Sequence, residues 1–366
     1  MRPSATAIDL FAGCGGMSLG LQQAGLDVRA AVEMDPTAAK RYKNIVGIQP
    51  IVSDICTVSG TRLLRTARLL PGQCFLLTAC APCQGFSSQR PPKHGAADPR
   101  NGLIHEAVRL VAAVRPMYVM LENVPGLAVG VGAPIYHTAV SRLNKLGYVR
   151  MDERVVDAAD YGVPQRRQRL IVLFRRRDMP DIKLPAATHV NPQLADTEGR
   201  PIWRSVREAI GCLRPLAPGE VDPNDPLHAA SAHRPDIVKR IEAIPSDGGS
   251  RAVLPTELTL ECHRNHSGHR DVYGRMRWDA PAPTLTGGCH KPSKGRFIHP
   301  EQDRGITLRE AALLQAFPPD TQFAGSREQI AEQIGNAVPP ALAAALARPI
   351  ATMWKEAHDE VDQHAG

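Results

Sequence analysis

The chain has 366 residues but no run of about 18 apolar ones, and its N-terminus lacks a basic, apolar, small-residue leader. Neither a membrane span nor export is expected, and the protein reads as soluble and cytoplasmic, with no membrane partner. Its cysteines, at 14, 56, 74, 80, 83, 212, 262 and 289, lack the tight regular spacing of a small disulfide scaffold. Free thiols in a reducing compartment follow, and thiolate chemistry is allowed. The glycine turn Gly13-Cys14-Gly15-Gly16 lacks the third spaced glycine of the dinucleotide fingerprint, which weakens a nicotinamide reading. Cys262, His263, His266, His269, Cys289 and His290 match no common zinc-module spacing, so no metal is expected. There is no internal repeat.

What is present is positive charge. Lysine and arginine number 44 against 37 acids, a net charge of +7, and arginine supplies most of it. Guanidinium groups fit phosphates with a planar fork, so a polyanionic partner or a plainly solvated basic surface both suit this balance.

Read in order, the chain alternates. Strands are expected at Ala5 to Phe11, Val28 to Val32, Ile51 to Ile55, Cys74 to Cys80, Met117 to Leu121, Tyr148 to Val156 and Arg169 to Phe174. Helices are expected at Met17 to Ala24 and near 102–114 and 134–146. The pattern predicts an α/β fold with a doubly wound, mostly parallel, Rossmann-like sheet. After Arg177 periodicity fades into a proline-, glycine- and histidine-rich stretch. Helical order returns at Thr307 to Gln315, and a last helix runs from Pro340 to about Lys355. The expected division is a cofactor-binding domain over 1–179, a smaller loop-rich module over 180–304, and a segment over 305–366 that returns to the first domain.

The first strand opens into small residues, Ala12, Gly13, Gly15 and Gly16, which let a ligand approach the backbone closely. Glu33 follows about 20 residues on, where an acid at a second strand end accepts ribose hydroxyls. Asp54, at the third strand end, could accept from an exocyclic amine. Two acids would repel a diphosphate but tolerate a cationic sulfonium, so S-adenosyl-L-methionine fits.

The fourth strand runs into Pro82-Cys83-Gln84-Gly85-Phe86-Ser87. Proline fixes its own torsion and extends the residue before it, which holds the Cys83 thiol in one place where strand ends gather reacting groups. Cys83 is the candidate nucleophile.

Six segments together carry a resemblance: Asp9-Leu10-Phe11-Ala12-Gly13-Cys14-Gly15-Gly16, Pro82-Cys83-Gln84, Glu122-Asn123-Val124, Gln165-Arg166-Arg167-Gln168-Arg169, Thr307-Leu308-Arg309-Glu310 and Gly335-Asn336-Ala337-Val338-Pro339. In this order they resemble the motifs of DNA (cytosine-5)-methyltransferases of the bacterial restriction-modification type, over most of the chain. The resemblance implies that Cys83 attacks carbon 6 of a cytosine rotated out of duplex DNA, that Glu122 stabilises the adduct at ring nitrogen 3, and that Arg169, supported by Arg167, holds the base oxygen. It implies cofactor contacts from Phe11, Met34, Ile55, Pro82, Leu103, Asn336 and Val338; Met34 stands where members often carry a larger or aromatic residue against adenine. It assigns DNA contact to Gln84, Ser87, Thr284 and Leu285. Gly85 to Gly102, directly after the nucleophile, has the composition of a mobile loop that could close over the extruded base.

The same resemblance makes 180–304 the target-recognition domain, where His263, Arg264, His266, His269, Arg270, Arg275 and Arg277 suit phosphates and base edges. It implies a monomer working at the nucleoid, with a cognate restriction endonuclease or defence system as a possible partner. With the first motif at residue 9, no N-terminal regulatory domain is expected.

Overall fold

The computed structural model describes residues 4–82, 99–194, 196, 198–264 and 271–364. Two compact units emerge: Met1–Asp157, Gln168–Ala187 and Val338–Gly366 form the first, and Ala158–Arg167 with Thr188–Ala337 form the second.

The first unit is built on seven strands: β1 (Thr6–Leu10), β2 (Asp27–Glu33), β3 (Ile51–Val52), β4 (Leu76–Ala79), β5 (Tyr118–Asn123), β6 (Tyr148–Asp157) and β7 (Gln168–Arg176). Their order is β3-β2-β1-β4-β5-β7-β6, with β1 to β5 parallel and β7 antiparallel to both neighbours. β1 and β4 are wholly buried strands, as continuous apolar runs in a two-faced sheet should be. Chain direction across the sheet reverses between them, and such a switch point is where ligands settle.

Helices α1 (Gly16–Gln23), α2 (Pro36–Val46), α3 (Gly60–Ala67), α4 (Leu103–Val114) and α5 (Ala133–Lys145) connect the strands. α2 and α3 lie outside the helices expected from the sequence, yet both carry start signals. Asp35 accepts from the Thr37 and Ala38 amides at 2.6 and 2.9 Å ahead of Pro36, and Ser59 accepts from Arg62 at 3.1 Å. The third strand is shorter than expected because the Asp54 carboxylate accepts the Cys56 amide and turns Ile55–Thr57 into a 3-10 helix. Glu122, expected just beyond its strand, lies within β5.

The second unit has little regular structure. It holds α6 (Val206–Ile210), a two-stranded ribbon of β8 (Val221–Asp222) and β9 (Asp225–Ala229), then α7 (Pro235–Glu242), α8 (Glu261–Arg264), α9 (Leu308–Leu314) and α10 (Arg327–Asn336). Its bounds differ from the expected 180–304, and buried amides account for it. Gln165 is fully buried, accepts the Leu285 amide at 3.0 Å and donates to the Leu314 carbonyl and to Gln315, whose own amide reaches the Ile334 and Ala337 carbonyls. These bonds gather 158–167 and 305–337 with the intervening loops.

The final helix, α11 (Pro340–His364), belongs to the first unit and packs along α1. A Cβ on Gly20 would stand 2.4 Å from the Ala343 Cβ and 2.5 Å from the Pro340 carbonyl oxygen, so only glycine permits this approach.

Candidate active site

At the carboxyl ends of β1 and β2, Phe11 takes a left-handed φ of 60° and Gly13 one of 56°. The turn is fastened to β2: the Glu33 carboxylate accepts the Gly13 amide at 2.7 Å and the Asp35 amide at 2.8 Å, one on each oxygen. Each oxygen keeps a further acceptor position. Among the described residues nothing lies within 4 Å of where a Cβ on Gly13 would stand, so the turn offers open space beside an acid. Ala12, Gly15, Gly16 and Ile55 are buried, Leu103 and Pro82 half-buried, and Asp54 exposed at its strand end. Small residues flanked by two carboxylates suit a cationic ligand with hydroxyl groups. Met34 is 66% exposed. Val338 is buried in the first unit, whereas Asn336 is the exposed last residue of α10 in the second.

Beneath this turn lies a buried chain that sequence reading missed. Tyr42 donates to Ser18, Ser18 donates to Asp9 at 2.6 Å, and Thr78 donates to the other Asp9 oxygen at 2.8 Å. Burial pushes the Asp9 carboxyl up to about 6, against the hydroxyl hydrogen bonds that pull it down. Asp9 thereby ties β1, α1, α2 and β4 together at the turn.

The second cluster sits at the ends of β4, β5 and β7. Register places Ala79 against Leu121 and Glu122 against Ile171, which brings Glu122 and Arg169 to neighbouring strand positions. Their side chains are about nine-tenths buried, and the Arg169 Nε lies 2.9 Å from the Glu122 carboxylate. Next door, Asn123 donates to the Ala81 carbonyl at 3.0 Å and accepts the Val124 amide at 3.0 Å. It fixes the chain two residues before Cys83. That signal was available in the Glu122-Asn123-Val124 motif, but only the structure gives Asn123 its work. Cys83, Gln84, Ser87 and residues 85–98 of the 85–102 loop lie outside the described residues.

Cys14, Cys74 and Cys289 are buried and Cys80 half-buried, and all four are poor nucleophiles. Burial pushes Cys14 and Cys289 up to about 12, and raises Cys74 and Cys80 well above the ordinary cysteine value.

Arg167, paired with Arg169 in the sequence reading, is buried in the second unit. Its terminal nitrogens donate to the Leu285 carbonyl at 3.0 Å and the Gly335 carbonyl at 2.9 Å. Leu285 is fully buried and Thr284 half-buried, its hydroxyl donating to the Arg166 carbonyl. Arg166 itself stacks over Trp203, 4.5 Å from the ring centre. Arg175 and Arg176 pair with Asp181 and Asp178. Arg275, expected to face a nucleic acid, is instead 1% exposed and donates to four main-chain carbonyls, of Ile244, His299, Gln302 and Ile241. Irregular loops leave carbonyls that need buried donors, and Arg275 meets that need. Arg277 is exposed; His266, His269 and Arg270 lie outside the described residues.

Among the described residues no helix is long and apolar enough to cross a membrane. Comparison with known proteins is consistent across nearly the whole length. Residues 5–352 match the model of the C-5 cytosine-specific DNA methylase family. The Type II methylase M.HgiDII of Herpetosiphon aurantiacus is 36% identical over 359 residues, 96% of each chain. The Type II methyltransferase M1.HphI of Haemophilus parahaemolyticus is 34% identical over 96% of this chain and 87% of its own. In fold, the chain is similar to a putative DNA modification methyltransferase encoded within an Escherichia coli prophage, with a TM-score of 0.71 at 24% identity, covering 96% of this chain and all of that one. The chain belongs to the C-5 cytosine-specific DNA methylase family and is a DNA (cytosine-5-)-methyltransferase that uses S-adenosylmethionine as methyl donor.

Proposed function

We propose that this enzyme methylates carbon 5 of one cytosine within a specific duplex DNA sequence, after that base has rotated out of the stack, through a transient bond between the Cys83 sulfur and carbon 6. The carrying observation is the ion pair of Glu122 and Arg169, 2.9 Å apart at the strand end beside the one that leads into Pro82-Cys83.

Carbon 5 of cytosine is too weak a nucleophile to accept a methyl group unaided. Addition of the Cys83 thiolate at carbon 6 pushes an electron pair into the ring, and negative charge grows at nitrogen 3. Glu122 supplies a proton or hydrogen bond there, which leaves an enamine whose carbon 5 is nucleophilic. Arg169 orients Glu122 and offers its remaining donors to the oxygen on carbon 2. S-adenosylmethionine, when bound, supplies an electrophilic methyl group. Loss of the proton on carbon 5 then returns the electron pair and expels the thiolate. In this reading Glu33 accepts the ribose hydroxyls and Asp54 the exocyclic amine, while Phe11, Met34, Ile55, Pro82, Leu103, Asn336 and Val338 contribute packing. Arg167 acts as a positioning residue through the Leu285 and Gly335 carbonyls.

The second unit chooses the sequence, with Thr284 and exposed arginines such as Arg277 offered to DNA, and Gln84 and Ser87 following the nucleophile. A monomer in the cytoplasm, working at the nucleoid within a restriction-modification or defence system, completes the proposal. The restriction-modification setting is supported by the Type II names of the relatives.

The test is a duplex substrate carrying 5-fluorocytosine at the methylated position, where fluorine blocks the final elimination. A covalent complex that survives denaturation, maps to Cys83 and is lost in Cys83→Ser is the expected result. Turnover on ordinary DNA without trapping would overturn the mechanism.

A further inference from the structure

Three residues before the proposed nucleophile stands another cysteine, and the described structure places it against the catalytic carboxylate. Cys80 follows β4, its amide bonded to the Leu10 carbonyl at 3.3 Å, and it is half-buried. Because Ala79 pairs with Leu121, the next step along both parallel strands sets Cys80 beside Glu122. Glu122 is among the groups that act on the Cys80 thiol. Glu122 is therefore flanked from both sides, ion-paired with Arg169 on β7 and neighboured by Cys80 after β4.

We propose that Cys80 is a positioning residue for methyl transfer, its thiol donating to the Glu122 carboxylate so that, with Arg169, it holds that group in one orientation toward the base. The inference rests on the reading of Glu122 given above.

The direction of the hydrogen bond follows from the surroundings. Burial first, then the negative charges of Glu122 and of Asp9 on β1, raise the thiol well above its ordinary value, with Arg169 opposing. A thiol that stays protonated can only donate to an anionic neighbour. Two partners from different strands restrict a carboxylate more than one does. Nothing else in the mechanism uses Cys80.

The experiment is a double-mutant cycle on the full-length enzyme with tritiated-methyl transfer to its duplex substrate. Cys80→Ala is expected to lower kcat about tenfold, with KM for DNA and for S-adenosylmethionine within about twofold of the parent. Cys80→Ser, which keeps a donor, is expected to stay within about threefold of the parent. In a Glu122→Gln background, adding Cys80→Ala is expected to change kcat by less than about twofold, since the group it positions is gone. Equal losses in both backgrounds, or parental kcat in Cys80→Ala, would overturn the inference. Parental kcat in Glu122→Gln alone would instead sink the reading of Glu122 itself. Should Cys80→Ala fail to fold, Cys80→Val fills the space without a donor and reads the same cycle.

Discussion

The two units solve the problem of buried polar groups differently. In the first, seven strands and their helices form a continuous apolar core around Ile8, Leu10, Leu77, Val119 and Phe174, and the polar groups inside it cluster at strand ends around the glycine turn and Glu122. In the second, short elements leave many loops, and buried charge holds them: Arg304 donates to both oxygens of Glu310 at 2.9 and 2.6 Å, both side chains almost fully buried, while Arg275 gathers four carbonyls. Polar burial in the first unit gathers at the candidate site; in the second it substitutes for regular hydrogen-bond ladders.

That difference is open to direct attack. The largest effect is expected from Glu122→Gln, which should lower kcat by about a hundredfold or more while the chain stays folded. Steady-state methyl transfer beside a thermal melt checks it, and a loss that appeared only as unfolding would erase the distinction. Arg304→Met strands the Glu310 carboxylate in the second unit and should cost about 3–5 kcal/mol of stability. Urea unfolding followed through Trp203 and Trp278, which lie in that unit, reads the loss.

Acid sharpens the comparison further. His299 accepts the Glu301 and Gln302 amides on Nδ1, and burial lowers it from 6.5 to about 4. Below pH 6.5 the unfolded chain takes up a proton that the folded one refuses until about 4, so stability on the order of 3 kcal/mol is lost across that window. Asp9 does the reverse: raised from 3.8 to about 6, it is protonated first in the folded state and adds stability as pH falls from about 6 to 3.8. Hydrogen exchange resolved by segment at pH 7 and pH 5 should show the second unit loosening before the first. His299→Gln should flatten that response. The smallest effect belongs to a cap: Asp35→Ala should destabilise α2 by about 1 kcal/mol, measured by urea midpoint.

Much of the first unit was legible because its strands announce themselves as apolar runs that end in motif residues. β1, β2, β5, β6 and β7 fall within a few residues of their expected places. α2 and α3 escaped notice although Asp35-Pro36 and Ser59 mark their starts, because neither carries a motif. The second unit was less legible: an arginine that binds four carbonyls and one that reaches solvent, Arg275 and Arg277, look alike in a chain whose loops set no period.

The sequence by itself determined the sheet, its alternation with helices, the family motifs and the pairing of acids with small residues at the first strand ends. These follow from local hydrophobic period and turn chemistry, which short segments carry alone. Only tertiary structure decided that antiparallel β7 delivers Arg169 to Glu122, that Asn123 holds the Ala81 carbonyl, that Cys80 comes to neighbour Glu122, and that Gln165 and Arg167 tie loops more than a hundred residues away. Strand order and register bring those groups together, and both depend on how distant segments pack.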